Sequence, residues 1–149
     1  MTLWRISEHA TLDGGGGLAF SARWHTAGRR IVYCAPNPAT ALLEVLVHAE
    51  IRIENVPVNL RYLEIEAPDL LAIEEVDVHA LGQSWRTDPV ATRRAGDEWL
   101  QSGRTALLRV PSVIVPATWN LLINPRHPES GRIRIIGTHS HGLDPRLLR

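Results

Sequence analysis

The sequence predicts an α+β domain. Two helical segments stand among six or seven short strand-like runs, prolines 111, 116 and 125 keep the later runs short, and the strands and helices do not alternate regularly enough for a doubly wound sheet. In chain order, Gly14 to Gly17 reads as a loop, and Arg30 to Ala35 as a strand. A helix follows from Asn37 to Glu50, with Asn37 placed to cap it and Pro38 suited to its first turn. Leu60 to Glu66 alternates partly and stops before Pro68, and Leu70 to Val76 is a third strand candidate. Asp88 and Pro89 open an amphipathic helix that runs to about Leu100, with Gly103 beyond its end. Ala106 to Val110, Ser112 to Val115, Leu121 to Ile123 and Arg132 to Ile136 complete a strand-rich second half expected to pair antiparallel.

The first helix poses a physical question. On a wheel stepping about 100° per residue, Ala41, Leu42, Leu43, Val45, Leu46, Val47 and Ala49 leave no broad polar face, which predicts burial. Thr40, Glu44 and His48 nevertheless form one polar stripe at i, i+4 and i+8. A carboxylate taken out of water costs several kcal/mol unless paired. Glu44 is therefore either paired inside the fold or set at a pocket where its charge is used.

Composition narrows the chemistry. A chain of 149 residues with 44% hydrophobic and 21% charged residues suits one globular domain. Net charge is zero with His neutral, so there is no broad basic field for nucleic acid. Every basic residue is arginine, which removes a Walker-type phosphate loop and any lysine base or Schiff base. Cys34 is the single cysteine; it excludes an intrachain disulfide, points to a reducing compartment and reads as a buried structural thiol. The first residues, MTLWRISEHATLDG, lack a basic region followed by an apolar core, so they do not read as a signal peptide, and no apolar run reaches membrane-spanning length. A cytoplasmic protein is expected.

Several motifs fail their context. Gly14, Gly16 and Ala19 formally satisfy a dinucleotide fingerprint, but no strand precedes them and no helical pattern follows. His127 and the pair His139 and His141 lack the partners of a metal site, so no metal is expected. Ser112 lies in Pro-Ser-Val, not in a nucleophile elbow, and taken alone reads as a strand end. Trp85 and Trp119 read as packing residues. Arg23, Tyr33 and Glu44 are the candidates that combine: a guanidinium fork for phosphate, an aromatic face for a flat ring, and a carboxylate able to stabilise positive charge at an anomeric carbon. On the residues alone, an Arg23–Glu44 structural ion pair and a ligand pocket both stay open.

The ordered series Arg23-Trp24, Gly28, Tyr33, Glu44 and His48 resembles the RES-domain family of bacterial toxins, the toxin halves of two-gene systems with an Xre-like antitoxin. The later segments supplying Trp99, Gly103, Ser112, Asn120 and Asn124 are similar to the same family, and the resemblance spans roughly Trp4 to Pro128. Thr40 stands where some relatives have serine, which keeps the hydroxyl. The resemblance implies a fold like that of ADP-ribosyltransferases, a split antiparallel sheet with a few helices around an NAD-binding cleft. It also implies cleavage of the nicotinamide–ribose bond, with NAD+ as substrate and no cofactor. On that basis Arg23 grips the pyrophosphate or a ribose, Tyr33 packs on the nicotinamide, and Glu44 holds the nicotinamide-side ribose and stabilises an oxocarbenium-like transition state. Thr40, His48, Ser112 and Asn124 would line the substrate site, and His48 would orient or pair with Glu44. The family's partner is a cognate Xre-like helix-turn-helix antitoxin, which no residue of this chain encodes, and a homodimer stays open. Two other outcomes compete with NAD+ degradation: ADP-ribosylation of a host protein, and a non-enzymatic binding module with Glu44 locked in an ion pair.

Overall fold

A computed structural model describes every residue except Glu50, Ile53 and Arg149. Glu50, the last residue of the expected first long helix, and Arg149, the end of the C-terminal tail, lie outside the described residues.

The elements run β1 (Thr2–Ser7), α1 (Gly16–Ala19), β2 (Val32–Cys34), α2 (Pro38–His48), β3 (Arg61–Glu66), β4 (Ile73–Glu75), α3 (Pro89–Ser102), β5 (Leu107–Pro111), β6 (Trp119–Ile123) and β7 (Arg134–Ser140), with short 3-10 turns between some of them. They build two sheets, one in the order β1-β3-β7 and one in the order β2-β6-β5-β4. The α+β class is as expected, and so is the split sheet that the family resemblance implies. The sheets touch where Trp4 of β1 bridges Ala35 just after β2, through reciprocal backbone bonds of 2.8 Å each way.

Burial follows the strand alternation. In β3, Leu63 and Ile65 turn into a core shared with Leu3, Val32, Leu107 and Ile123 from both sheets. β5 and β6 are covered on both faces, because Leu108, Val110 and Leu122 point the other way, onto Trp24, Trp85 and Trp99. That double burial is why Ala106–Leu108 and Leu121–Ile123 read as unbroken apolar runs, with the exposed Arg109 interrupting the first before Val110. Both long helices start and stop as their local signals dictate. Asn37 Oδ1 accepts from the Thr40 amide at 2.8 Å, Asp88 Oδ1 from the Val90 amide at 3.0 Å, and Gly103 closes α3 in the left-handed conformation.

The structure corrects five expectations. The N-terminal run forms β1, which the sequence pattern did not announce. Ser112 to Val115 is a turn, not a strand. β4 pairs with β5 in parallel, although the other pairings are antiparallel. The glycine run ends in the single helical turn α1 and packs closely: a Cβ on Gly14 would meet the Ile31 amide at 2.6 Å, and one on Gly17 would strike the Arg29 carbonyl. Last, α2 is not buried on all sides. It seats Ala41 against Ile6 and Ala35 but leaves Leu43 and Val47 exposed, at 41% and 54%. Rigid placement of Glu44 therefore has another source.

Candidate functional site

The polar stripe of α2 is real, but its members meet different surroundings. Thr40 is 9% exposed, the Glu44 side chain 23% and the His48 side chain 57%. Glu44 alone sits at the boundary between core and cleft, and three donors hold it there. Asn120 Nδ2, from β6, donates to Oε1 at 2.7 Å, and Ser112 Oγ donates to the same oxygen at 3.2 Å. His48 Nε2 lies 3.1 Å from Oε2, one helical turn on.

The Ser112 geometry fixes the direction of its bond. Its oxygen accepts from the amides of Ile114 and Val115 at 3.1 and 3.2 Å, which leaves the hydroxyl proton for the carboxylate. Asn120 is oriented by the same logic, since only its amide nitrogen can donate to Glu44. Burial alone would raise the Glu44 pKa. Hydrogen bonds from His48, Asn120 and Ser112, with the nearby His48 charge, outweigh it and hold the carboxyl below its ordinary value. Glu44 is thus an anion kept in place by donors, half shielded from water.

Tyr33 comes from β2, where Val32 and Cys34 turn into the core and Tyr33 turns the opposite way, into the cleft. Burial pushes the Cys34 thiol up to about 12, so the cysteine is inert packing, as its context predicted. Arg23 is half-buried and donates through Nη1 to the Trp85 carbonyl at 3.3 Å. Among the described residues it makes no ion pair with Glu44, whose partner is His48. The Arg23–Glu44 ion-pair alternative therefore fails on geometry.

Arg23, Tyr33, Glu44 and His48 converge on one cavity of about 380 Å³, floored by Trp4, Ile6, Ala35, Ala41 and Val45. A second space of about 80 Å³ adjoins it and shares Arg23, Tyr33, Glu44, His48 and Asn120. An apolar concavity of this size with a few convergent polar groups suits a small ligand. Three of the expected substrate contacts, Thr40, Ser112 and Asn124, do not line it. Thr40 is buried in the first turn of α2, its amide donating to the Asn37 cap. Asn124 is 3% exposed and tied into a turn, its Oδ1 accepting from the Arg126 amide and its Nδ2 reaching the Leu100 carbonyl. Ser112 acts on Glu44 from within the protein. Two residues had no role in the sequence reading. Asn120 supplies the shortest bond to Glu44, and Arg5 lines the cleft while donating to the Tyr33 carbonyl at 3.1 Å. A charged residue inside the apolar run Leu3–Ile6 was the available signal for Arg5.

The other histidines serve locally: His139 faces Glu64 at 3.5 Å and His141 meets the edge of Tyr62. Among the described residues, no three His, Cys, Asp or Glu side chains gather as a metal site.

With this geometry in view, the likeness to known proteins is specific. Residues 2–144 match the RES domain. The chain belongs to the RES family. This RES chain is 47% identical over 135 residues to a protein of Pseudomonas putida named Toxin Res, covering 91% of this chain and 92% of the relative. It is 40% identical to a Prs ADP-ribosylating toxin of a Sphingobium species, over 99% of this chain and 97% of that one. A Toxin Res of Yersinia enterocolitica is 33% identical over 99% of both chains. In three dimensions it superposes on a chain of the M. tuberculosis MbcT–MbcA toxin–antitoxin complex with a TM-score of 0.75 at 18% identity, covering 99% of this chain and 86% of that one. That likeness establishes a shared fold.

Asn120→Ala removes the shortest donor to Glu44 while burial of the carboxylate remains. The Glu44 ionisation, held below its ordinary value in the native protein, is expected to move upward in the variant. Carboxyl-carbon NMR titration of the two proteins measures the shift. An unchanged midpoint would mean that the Asn120 bond does not stabilise the anion.

Proposed function

We propose that this protein is the toxin of a toxin–antitoxin pair and that it consumes NAD+ by breaking the bond between nicotinamide and ribose. The observation that carries the reading is Glu44, an anion fixed by three donors at the edge of an apolar cleft that also presents Arg23 and Tyr33. In this reading the pyrophosphate or a ribose lies against Arg23 and the nicotinamide ring against the face of Tyr33. Glu44 accepts from a hydroxyl of the nicotinamide-side ribose.

As the C–N bond breaks, its electron pair leaves with nicotinamide and positive charge grows on the ribose. The fixed carboxylate stabilises that charge without having to reorganise. Water or phosphate then adds to the anomeric carbon and releases a proton. Pyridinium nicotinamide is already a good leaving group, so orientation and charge stabilisation are what the protein must supply.

A second acceptor deserves a test of its own. The Sphingobium relative bears the name of an ADP-ribosylating toxin, which favours a protein acceptor at the same anomeric carbon. Purified protein incubated with NAD+ separates the two. Free ADP-ribose in plain buffer, or its phosphorylated form when phosphate is added, supports degradation; NAD+ loss only when an acceptor protein is present supports transfer to that protein. No loss of NAD+ under either condition overturns both.

The neighbouring fold comes from a toxin–antitoxin complex, which supports an antitoxin partner for this chain. We assign that partner to the Xre-like helix-turn-helix class and the pair to the cytoplasm. No helix among the described residues is long and apolar enough to cross a membrane, and the net charge of zero gives no footprint for nucleic acid.

A further inference from the structure

The hydroxyl of Tyr33 is already committed inside the protein, and the residue that commits it has no role so far. Tyr33 Oη lies 2.8 Å from His25 Nδ1 and 3.1 Å from the backbone nitrogen of Trp24. His25 is 2% exposed, and its other ring nitrogen, Nε2, lies 3.2 Å from the Gly17 carbonyl. A carbonyl only accepts, so Nε2 carries the proton. In the neutral ring Nδ1 is then a bare acceptor. The Tyr33 hydroxyl must donate to Nδ1, and it accepts from the Trp24 amide. Both of its strong hydrogen-bonding directions are taken.

The chain behind this contact is rigid. Gly17 can bring its carbonyl to His25 because it has no side chain, as a Cβ there would strike the Arg29 carbonyl. The same carbonyl also accepts from the Gly28 amide at 3.1 Å. The two rings stand 5.7 Å apart at 52°, which sets the tilt of Tyr33 as well as the bond. Burial lowers the His25 pKa, opposed by the backbone of Gly17 and Phe20 and by Asp97, while Arg93 adds to the lowering. The neutral form that the network requires is thereby favoured.

We propose that His25 is a positioning residue for the NAD+ reaction: it locks the Tyr33 hydroxyl so that Tyr33 meets the substrate only through its ring face and takes no part in proton transfer. The glycine run is the base of this device, a chain of contacts from Gly17 through His25 to Tyr33. The proposal rests on the NAD+ reading of the cleft.

The test is a cycle of His25→Leu, Tyr33→Phe and the double variant, with His25→Asn as a conservative rescue because its amide oxygen can take the place of Nδ1. Removing the Tyr33 hydroxyl or its acceptor is expected to lower kcat/KM about tenfold, the worth of roughly one hydrogen bond. The effect should fall mainly on KM, since ring placement is lost and Glu44 is untouched. The double variant should be no worse than Tyr33→Phe, and His25→Asn should recover most of the loss. If His25→Leu costs as much in the Tyr33→Phe background as in the native one, or His25→Asn fares no better than His25→Leu, His25 does not act through the hydroxyl and the proposal falls. Absence of NAD+ turnover by the native protein would overturn the proposed function instead. Binding of a non-cleavable carbocyclic NAD+ analogue across the same proteins would then decide the positioning role by the same pattern of losses.

Discussion

Glu44→Gln is expected to lower NAD+ consumption by about a thousandfold or more while the fold stays intact, the largest activity loss that a single substitution in this cleft should give. Glutamine keeps the shape and offers an oxygen to Asn120 Nδ2 and Ser112 Oγ, so two of the three anchors survive. His48 can accept from the new amide as a neutral ring, which preserves the third. What disappears is the charge. A neutral amide gives little stabilisation to a cationic ribose, and the measurement is the rate of NAD+ loss by chromatography, beside a thermal unfolding curve. An active, folded Gln variant would leave Glu44 a structural residue and remove the basis of the enzymatic reading. Growth arrest on expression should vanish with the activity; arrest that persists without NAD+ loss would favour the binding-module alternative.

Parts of this site were visible in the sequence because they are local. The spacing that joins Thr40, Glu44 and His48 is set by the helix period, and Asn37 and Asp88 carry their capping chemistry in the residue type. Arg23, Tyr33 and Glu44 could be grouped by their chemistry, and the family likeness of their order along the chain supplied the ligand. Convergence itself is a tertiary fact: β2 and α2 are adjacent in sequence, but Arg23 reaches the cleft only through the segment that α3 holds.

Other features were hidden for definite physical reasons. β1 gives no alternating pattern because Leu3 and Ile6 are its buried residues, an interval of three, as the strand leaves one sheet to bridge the other at Trp4. Ser112 to Val115 has the composition of a strand, yet the Ser112 hydroxyl takes the amides of Ile114 and Val115 and Ala117 adopts a φ of 55°, so the segment turns. Thr40 obeys the same period as Glu44 and still misses the cleft, because periodicity gives a helix face and not what each turn of that face packs against. Asn120, just ahead of the expected Leu121–Ile123 strand, was named only through the family likeness and given no role; its 2.7 Å bond to Glu44 joins positions 76 residues apart.

Gly96→Ala is expected to be the most destabilising small substitution in the protein, and its reason lies in how α3 carries the site. A Cβ at Gly96 would land on the Trp24 carbonyl oxygen and stand 2.8 Å from the carbonyl carbon, and backbone atoms cannot swing aside as a side chain tip can. Alanine favours a helix interior over glycine by about 1 kcal/mol, but forcing two backbones apart in a packed region costs roughly 3 kcal/mol or more, so the clash decides the sign. Against a total stability of about 5–15 kcal/mol that is a large fraction. The melting temperature should fall by roughly 5 °C or more.

The damage should also reach the cleft. The middle of α3 grips the segment from Ala22 to Thr26: Thr92 Oγ1 donates to the Arg23 carbonyl at 2.6 Å, Arg93 Nε to the Ala22 carbonyl at 2.8 Å, and Asp97 accepts from the Thr26 amide at 2.9 Å. Gly96 is the point of closest approach within that grip, directly between Arg23 and His25 in the chain it faces. Activity of Gly96→Ala, measured well below its melting temperature, should therefore drop further than the folded fraction does. Gly103→Ala is the control. Its φ of 61° makes alanine cost about 1 kcal/mol at the helix end, but nothing lies within 4 Å of the added carbon, so activity per folded molecule should stay native. Equal specific activity in both variants would mean that α3 merely covers the core and does not position Arg23.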